Sequence, residues 1–284
     1  MIETLIITWR ETMEAALIVG ILLTYLGRSG QQAGRRWVWV GAGAAVLAAI
    51  ACGAASGGAV TLLEPDTQEL IQAGILVLAV GVLSGMVVWM NRHGRAIRGK
   101  LHRKADRAME TGSHVGLAAV AFVAVFREGV ETVLFLWGVV VQVGASYAVA
   151  PLVGAGLAGA ALAVATAWLF FRGFAFLSLQ TFFRATGIVL LLVAAGLLTS
   201  GVNKLIGLGY LPPIIPQVWN TSWLVRDGSA VGAVLHALMG YRSRPSLLEV
   251  LTFVAYFPPM IWALSRADAA PGRARAEAAA STAA

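Results

Sequence analysis

Phe126-Arg127-Glu128-Gly129-Val130-Glu131 lies in the middle of an otherwise apolar run from Val115 to Val143. Three ionisable groups sit where a membrane helix should have none, and each costs roughly 2.5–3.5 kcal/mol at the bilayer centre even on insertion scales. Residues that carry such a cost face an interior cavity and act there. The pattern occurs a second time. Trp9-Arg10-Glu11-Thr12-Met13-Glu14 repeats Arg-Glu-x-x-Glu inside the run Leu5 to Leu26, 117 residues earlier. Two such strings in two apolar runs are read as an internal repeat.

Composition sets the frame around these motifs. Of 284 residues, 58% are hydrophobic and only 12% are charged, which is membrane-protein composition. The single cysteine, Cys52, lies in an apolar run and excludes both a disulfide framework and a thiolate metal cluster. No basic n-region precedes the first apolar segment, and Arg10, Glu11 and Glu14 lie within it, so it reads as a retained span rather than a cleaved signal.

Seven apolar spans follow: Ile2 to Leu26, Val38 to Leu63, Leu70 to Met90, Val115 to Val143, Val149 to Phe171, Phe182 to Val202 and Leu248 to Leu264. About 20 helical residues cross a ~30 Å hydrocarbon core. The net charge of +7 matters less than where the cations fall. With the N-terminus outside, the inner segments hold Arg28, Arg35 and Arg36; Arg92, Arg95, Arg98, Lys100, Arg103, Lys104 and Arg107; Arg172 and Arg184; and Arg266, Arg273 and Arg275. Only Lys204, Arg226, Arg242 and Arg244 remain outside. The positive-inside rule therefore predicts N-outside, C-inside.

The two motifs open the first and fourth spans. The expected fold is thus an all-α integral membrane protein of seven transmembrane helices, two inverted three-helix repeats plus one further helix. Its expected divisions are a first repeat over 1–93, a basic cytoplasmic loop over 94–113, and a second repeat over 114–204. An outer loop with an interfacial or re-entrant helix over 205–247, a seventh helix over 248–266 and a flexible tail over 267–284 complete the chain. Small-xxx-small pairs (Gly53 with Gly57, Gly81 with Gly85, Gly154 with Ala158) suit close helix packing. Pro258-Pro259 predicts a kink or break in the last span.

At 100° per residue, Arg10, Glu11 and Glu14 share one helix face, as do Arg127, Glu128 and Glu131. Two such faces opposed offer Glu11, Glu14, Glu128 and Glu131, a hard all-oxygen ligand set for a small cation. Arg10 and Arg127 each reach a carboxylate at i+4 and balance charge. Four carboxylates and two guanidiniums sum to −2, which one divalent cation neutralises. Salt bridges that merely hold the helices together are the simpler account, but each motif has one carboxylate more than its arginine neutralises.

With these residues in view, the chain resembles the high-affinity iron permease family. Its fungal members are oxidase-dependent iron transporters working with a multicopper ferroxidase, and its bacterial branch comprises ferrous-iron permeases. That family carries two Arg-Glu-Gly-x-Glu motifs in the first and fourth of seven spans. Residues 127–131 match fully, whereas Thr12 replaces the glycine in the first motif. Val218-Trp219-Asn220-Thr221-Ser222-Trp223-Leu224, Gly240-Tyr241 and Arg244-Pro245-Ser246 also look like the bacterial branch, with Asn220 where Asp is usual.

The resemblance implies import of iron across the inner membrane, and the −2 balance predicts Fe2+ rather than Fe3+ as the transported form, since Fe3+ leaves a +1 excess. The resemblance also implies no cofactor beyond iron as transported substrate, and extracytoplasmic iron-oxidising or iron-delivering partners. A proton-coupled transporter or exporter of another divalent metal and a membrane iron sensor are the competing readings. A di-iron oxidase is disfavoured, because the Glu-x-x-His pairs it builds on are missing from the spans.

At the outer face, Glu64, Asp66 and Glu69 are candidates for concentrating cations at the entrance. Asp66 with Glu69 equally reads as a helix-start capping pair. His236 in the outer segment is a candidate ligand, although a lone histidine is more often simply hydrogen-bonded. Glu249 reads as a helix N-terminal acid.

Overall fold

The structure, a computed structural model, describes residues 2–61, 64–93, 114–143, 149–172, 179–227 and 229–283. The basic loop expected over 94–113 lies outside these residues. Eight helices are described: α1 Ile2–Arg28, α2 Gln32–Thr61, α3 Pro65–His93, α4 His114–Val143, α5 Val149–Phe171, α6 Leu179–Gly207, α7 Ala230–Met239 and α8 Leu247–Ala283. Among the described residues there is no strand. The protein is a multi-pass, all-helical membrane protein.

Five helices contain stretches long and apolar enough to cross a bilayer: Gln32–Gly57, Thr67–Asn91, Ala150–Phe171, Arg184–Gly207 and Leu247–Arg266. α1 and α4 have the length but not the uninterrupted apolarity. Every 18-residue stretch of α4 includes Arg127, Glu128 and Glu131, and every one of α1 includes Glu11 and Glu14 with either Arg10 or Arg28.

The helices gather into two compact units, Met1–Ile71 with Arg95–Ser178, and Gln72–Gly94 with Leu179–Ala284. Neither unit is a continuous half of the sequence. In the first, α1 packs against α5, α4 and α2, and α4 packs along α2. Helix directions follow from the side chains that meet. Gly41, Ala49, Gly53 and Gly57 of α2 meet Ala118, Gly129, Val133 and Trp137 of α4 in rising order, so these two helices are parallel. Gly159 meets Leu5 and Trp9, and Phe171 meets Gly20, so α5 is parallel to α1.

α1 and α4 run antiparallel. Val19, Leu22 and Leu26 near the end of α1 share a dry core with Leu117, Ala121 and Val125 near the start of α4, joined by Val38, Ala42 and Ala45 of α2. Phe122 and Phe126 stack beside it with ring centroids 5.4 Å apart.

In the second unit, α6 packs against α7 and α8 and lies antiparallel to α3, Gly187 meeting Val87 and Gly201 meeting Leu76. Ser84 of α3 hydrogen-bonds Tyr256 of α8 at 2.7 Å. α7 begins at Ser229, whose hydroxyl accepts from the Gly232 amide at 3.0 Å. It ends at Gly240 in the left-handed region (φ 64°), pressed against Gly196 of α6. No side chain fits there on either count.

α8 starts in a capping box. The Ser246 amide donates to Glu249 Oε2 at 2.7 Å and the Glu249 amide to Ser246 Oγ at 3.3 Å, with Arg242 also on Glu249. Glu249 is therefore the N-terminal acid expected, and it closes a reciprocal cap.

Two expectations change. α8 continues through Pro258 and Pro259, so the break expected at the proline pair is absent; the apolar turns on either side carry the helix past the missing amides. The stretch after Arg266 is helical to Ala283, in keeping with its alanine content. Of the small-residue pairs, only Gly53 with Gly57 sits in a helix contact, whereas Gly81, Gly85 and Gly154 meet no described atom within 4 Å.

A Cβ at Gly159 would lie 2.5 Å from the Leu5 carbonyl oxygen, which is backbone and cannot swing away. Gly159→Leu should separate α1 from α5 and destabilise the fold by about 1–3 kcal/mol or more. Gly154→Leu, on the same helix, should be nearly neutral. Thermal melting of both variants in detergent checks this, and equal melting would contradict the α1–α5 packing.

Candidate metal centre

The motifs lie near the middles of α1 and α4, and the antiparallel crossing of those helices turns their charged faces toward each other. One carboxylate oxygen from each of Glu11, Glu128 and Glu131 falls within 4.8 Å of the other two. The two copies of the repeat thus contribute to one cluster. Glu11 is fully enclosed, and Glu128 and Glu131 are nearly so, with side chains 6% and 12% exposed.

Each arginine takes carboxylates of its own helix. Arg10, itself 1% exposed, places Nη1 2.7 Å from Glu11 Oε1 and Nη2 2.8 Å from Glu14 Oε1. Arg127 places Nε 2.8 Å from Glu131 Oε1 and 3.9 Å from Glu128 Oε1, and its side chain is 49% exposed. Both i+4 pairs anticipated from helical geometry are present. The sequence repeat is nevertheless used unequally, because Arg10 clamps two carboxylates closely and Arg127 only one.

The other oxygens carry the chemical information. Glu11 Oε2, Glu128 Oε2 and Glu131 Oε2 are all buried and accept no hydrogen bond among the described residues. The arginines hold one edge of Glu11 and of Glu131 and leave the second edge bare. A buried carboxylate oxygen without a partner is expensive, and buried ion pairs stabilise only when the remaining lone pairs are also satisfied. Three clustered carboxylates from two helices, each with one bare oxygen, are groups that could hold a cation, of the hard type that suits Mn2+, Fe2+ or Mg2+ better than a soft metal.

Glu14 completes the negative side without joining the tightest cluster. It is held by Arg10 and is close enough to Glu131 and Arg127 for direct electrostatic interaction. The motif glycine has a steric reason in the second copy, since a Cβ at Gly129 would lie 2.6 Å from Ala49 Cβ of α2.

The remaining candidates lie elsewhere. Glu64 and Glu69 are exposed at the start of α3, and the side chain of Asp66 lies outside the described residues. The helix begins at Pro65, and the Glu64 carbonyl accepts from the Gln68 amide at 2.8 Å. Asp66 thus falls in the first turn, and the Asp66–Glu69 capping pair rests on a side chain outside the described residues; the locked φ of proline suits the first helical position. His236 in α7 bonds the Tyr241 carbonyl oxygen through Nδ1 at 2.9 Å. Asn220 Oδ1 accepts from the Ser222 amide and hydroxyl, a turn-forming role.

One buried acid escapes the motif reading. Glu3 is fully buried on α1, seven residues before Arg10 and on the same face. An acid at the second position of a helix reads as a first-turn acid, and only its burial marks it as more than that.

Comparison with known proteins places the chain in a family. The family model of the iron permease FTR1 family matches residues 1–265. The ferrous iron permease EfeU of Shigella sonnei is 32% identical over 265 residues, covering 92% of this chain and 94% of its own. That of Escherichia coli O157:H7 gives the same values. An uncharacterized protein of Archaeoglobus fulgidus is 32% identical over 278 residues, covering 94% and 95%. No solved structure matches the chain. A full-length match of the family model, with relatives at this identity over nine-tenths of both chains, shows that the protein belongs to the iron permease FTR1 family.

Proposed function

We propose that the chain carries Fe2+ inward across the cytoplasmic membrane, with Glu11, Glu14, Glu128 and Glu131 as the metal site and Arg10 and Arg127 balancing their charge. The observation that carries this reading is the clustering of three buried carboxylates from both motifs within 4.8 Å, each with one oxygen that lacks a hydrogen-bond partner among the described residues. Full-length similarity to proteins named ferrous iron permease supports iron in the ferrous state as the cargo.

Seven crossings and an inverted repeat are part of the proposal. Helix direction supports them: α2 parallel to α4 requires α3 to recross between them, and α1 antiparallel to α4 but parallel to α5 is the alternation that seven spans produce. The first helix of each repeat packs on the second helix of the other, as a two-fold relation would demand. The N-outside orientation rests on the distribution of Lys and Arg. Arg172 over Trp168 (4.3 Å) and Arg266 over Trp262 (4.0 Å) suit interfacial anchoring at two helix ends assigned to the inner face.

In this mechanism Fe2+ exchanges part of its water for carboxylate oxygens in a cavity whose net charge of −2 it cancels. The two guanidiniums keep the empty site from carrying the full repulsion of four anions. The apolar core of Leu22, Leu26, Val38, Leu117 and Ala121 lies on the inner side of the site and bars passage until the helices shift. Release inward therefore requires that dry contact to open.

Glu14→Gln and Glu131→Gln preserve size and remove charge, and each should lower radioactive Fe2+ uptake into proteoliposomes about tenfold or more with melting unchanged. Near wild-type uptake by either variant would remove that residue from the site. Arg127→Ala leaves the cavity more negative, so Fe2+ should be held more tightly and released more slowly, seen as a lower half-saturation and a lower maximal rate. An unchanged transport curve would refute the charge balance. Uptake should be faster with reductant than without. Mn2+, Co2+ and Zn2+ should compete moderately and Na+ and K+ hardly at all; a preference for Fe3+ would overturn the ferrous reading.

A further inference from the structure

α1 buries more oxygen than the metal centre uses. Glu3 is fully buried, and neither of its carboxylate oxygens has a hydrogen-bond partner among the described residues. The hydroxyls of Thr4 and Thr8 are buried nearby on the same helix and are likewise without hydrogen-bond partners.

For Thr8 this is unusual in its own fold. A helical threonine has a local option, donation to the carbonyl four residues back, and Thr24, Thr132, Thr166, Thr199 and Thr252 all take it. Thr8 leaves the Thr4 carbonyl alone. The facing residue of α5 is Gly156, whose missing side chain leaves room, a Cβ there lying 3.8 Å from Thr8 Oγ1.

Helical register joins these groups to the metal centre. Thr4, Thr8 and Glu11 stand at i, i+4 and i+7 and form one row along α1. Glu3, Arg10 and Glu14 stand at i, i+7 and i+11 and form the adjoining row. Along the axis Glu3 is about 12 Å and Thr8 about 4.5 Å from Glu11 at 1.5 Å per residue. The buried oxygens thus lead from the metal centre toward one end of α1 only. The opposite end is the dry core of Leu22, Leu26, Leu117 and Ala121.

A first-turn acid that merely complements the helix dipole would sit in solvent or accept from a free amide, and Glu3 does neither. We propose that Glu3, with the hydroxyls of Thr4 and Thr8, is a second divalent-cation subsite on the approach to the metal centre. It rests on the reading of Glu11, Glu128 and Glu131 as the cargo site. One carboxylate and two hydroxyls hold a largely hydrated ion loosely, and the hydroxyls then replace water as the ion moves to Glu11. In the proposed orientation this end of α1 faces outward.

The test is an Mn2+ titration of the purified full-length protein in detergent, followed by the electron paramagnetic resonance signal of free Mn2+. Wild type should bind two ions of unequal affinity. Glu3→Gln should lose the weaker class and keep the tighter, and Glu128→Gln should do the reverse. Thr8→Val should weaken the weaker class several-fold and Glu3→Asp should retain it, which decides the matter if Glu3→Gln does not fold. In Fe2+ uptake, Glu3→Gln should raise the half-saturation several-fold with little change in maximal rate. One class in wild type, or an isotherm unaltered by Glu3→Gln, would overturn the subsite. Retained Mn2+ binding with lost dependence on a pH gradient would overturn it in favour of a proton site. A tight class that survives Glu128→Gln would instead sink the metal centre and leave the Glu3 subsite standing.

Discussion

The cost of keeping Arg10, Glu11, Glu128 and Glu131 away from water governs the rest of the fold. A charged group in the middle of an apolar helix is tolerated only if another helix meets it with compensating chemistry at the same depth. α1 and α4 supply that chemistry to each other, and their antiparallel crossing puts both strings at one level. The tight approach of neighbouring helices follows from the same need. Gly129 against Ala49, Gly159 against the Leu5 carbonyl and Gly41 against Ala118 bring α2 and α5 close enough to exclude water from the polar centre.

Compensation is deliberately incomplete. A core built for stability alone would pair every lone pair or dispense with the charges, since apolar residues of similar volume serve a buried ion pair's place as well or better. Here the arginines satisfy one edge of Glu11 and Glu131, and three Oε2 atoms stay bare. In the proposed function this deficit is what a bound cation would make good. Unequal burial of Arg10 and Arg127 means the two repeat copies do not share the work evenly, the first clamped from within and the second with room beside its guanidinium.

The second unit shows the contrast with a purely structural polar network. Asp227 accepts from the Ser243 amide and hydroxyl, the Tyr241 hydroxyl reaches the Val225 carbonyl and Thr221, and His236 bonds the Tyr241 carbonyl. These bonds shape the segment between α6 and α8. Neighbours are adjacent in a folded loop, and each acceptor has its donor. The carboxylates of the metal centre are drawn from helices far apart in sequence and lack that closure.

The positions of the helices, the paired motifs, the arginine contacts at i+4 and the acid at the start of α8 were legible in the sequence, because each depends on local periodicity or on charge that an apolar run cannot hide. Glu3 was not, since a first-turn acid looks the same whether solvent or another helix covers it. The passage of α8 through Pro258-Pro259 and the idleness of Gly81, Gly85 and Gly154 were also beyond reach, for they turn on what lies across from each residue. That four glutamates belong together could be argued from the repeat alone. That three of them converge within 4.8 Å with one oxygen each left bare, while Glu14 is held by Arg10, was decided only by how the antiparallel helices α1 and α4 cross, a relation between segments more than a hundred residues apart on which local sequence has no hold.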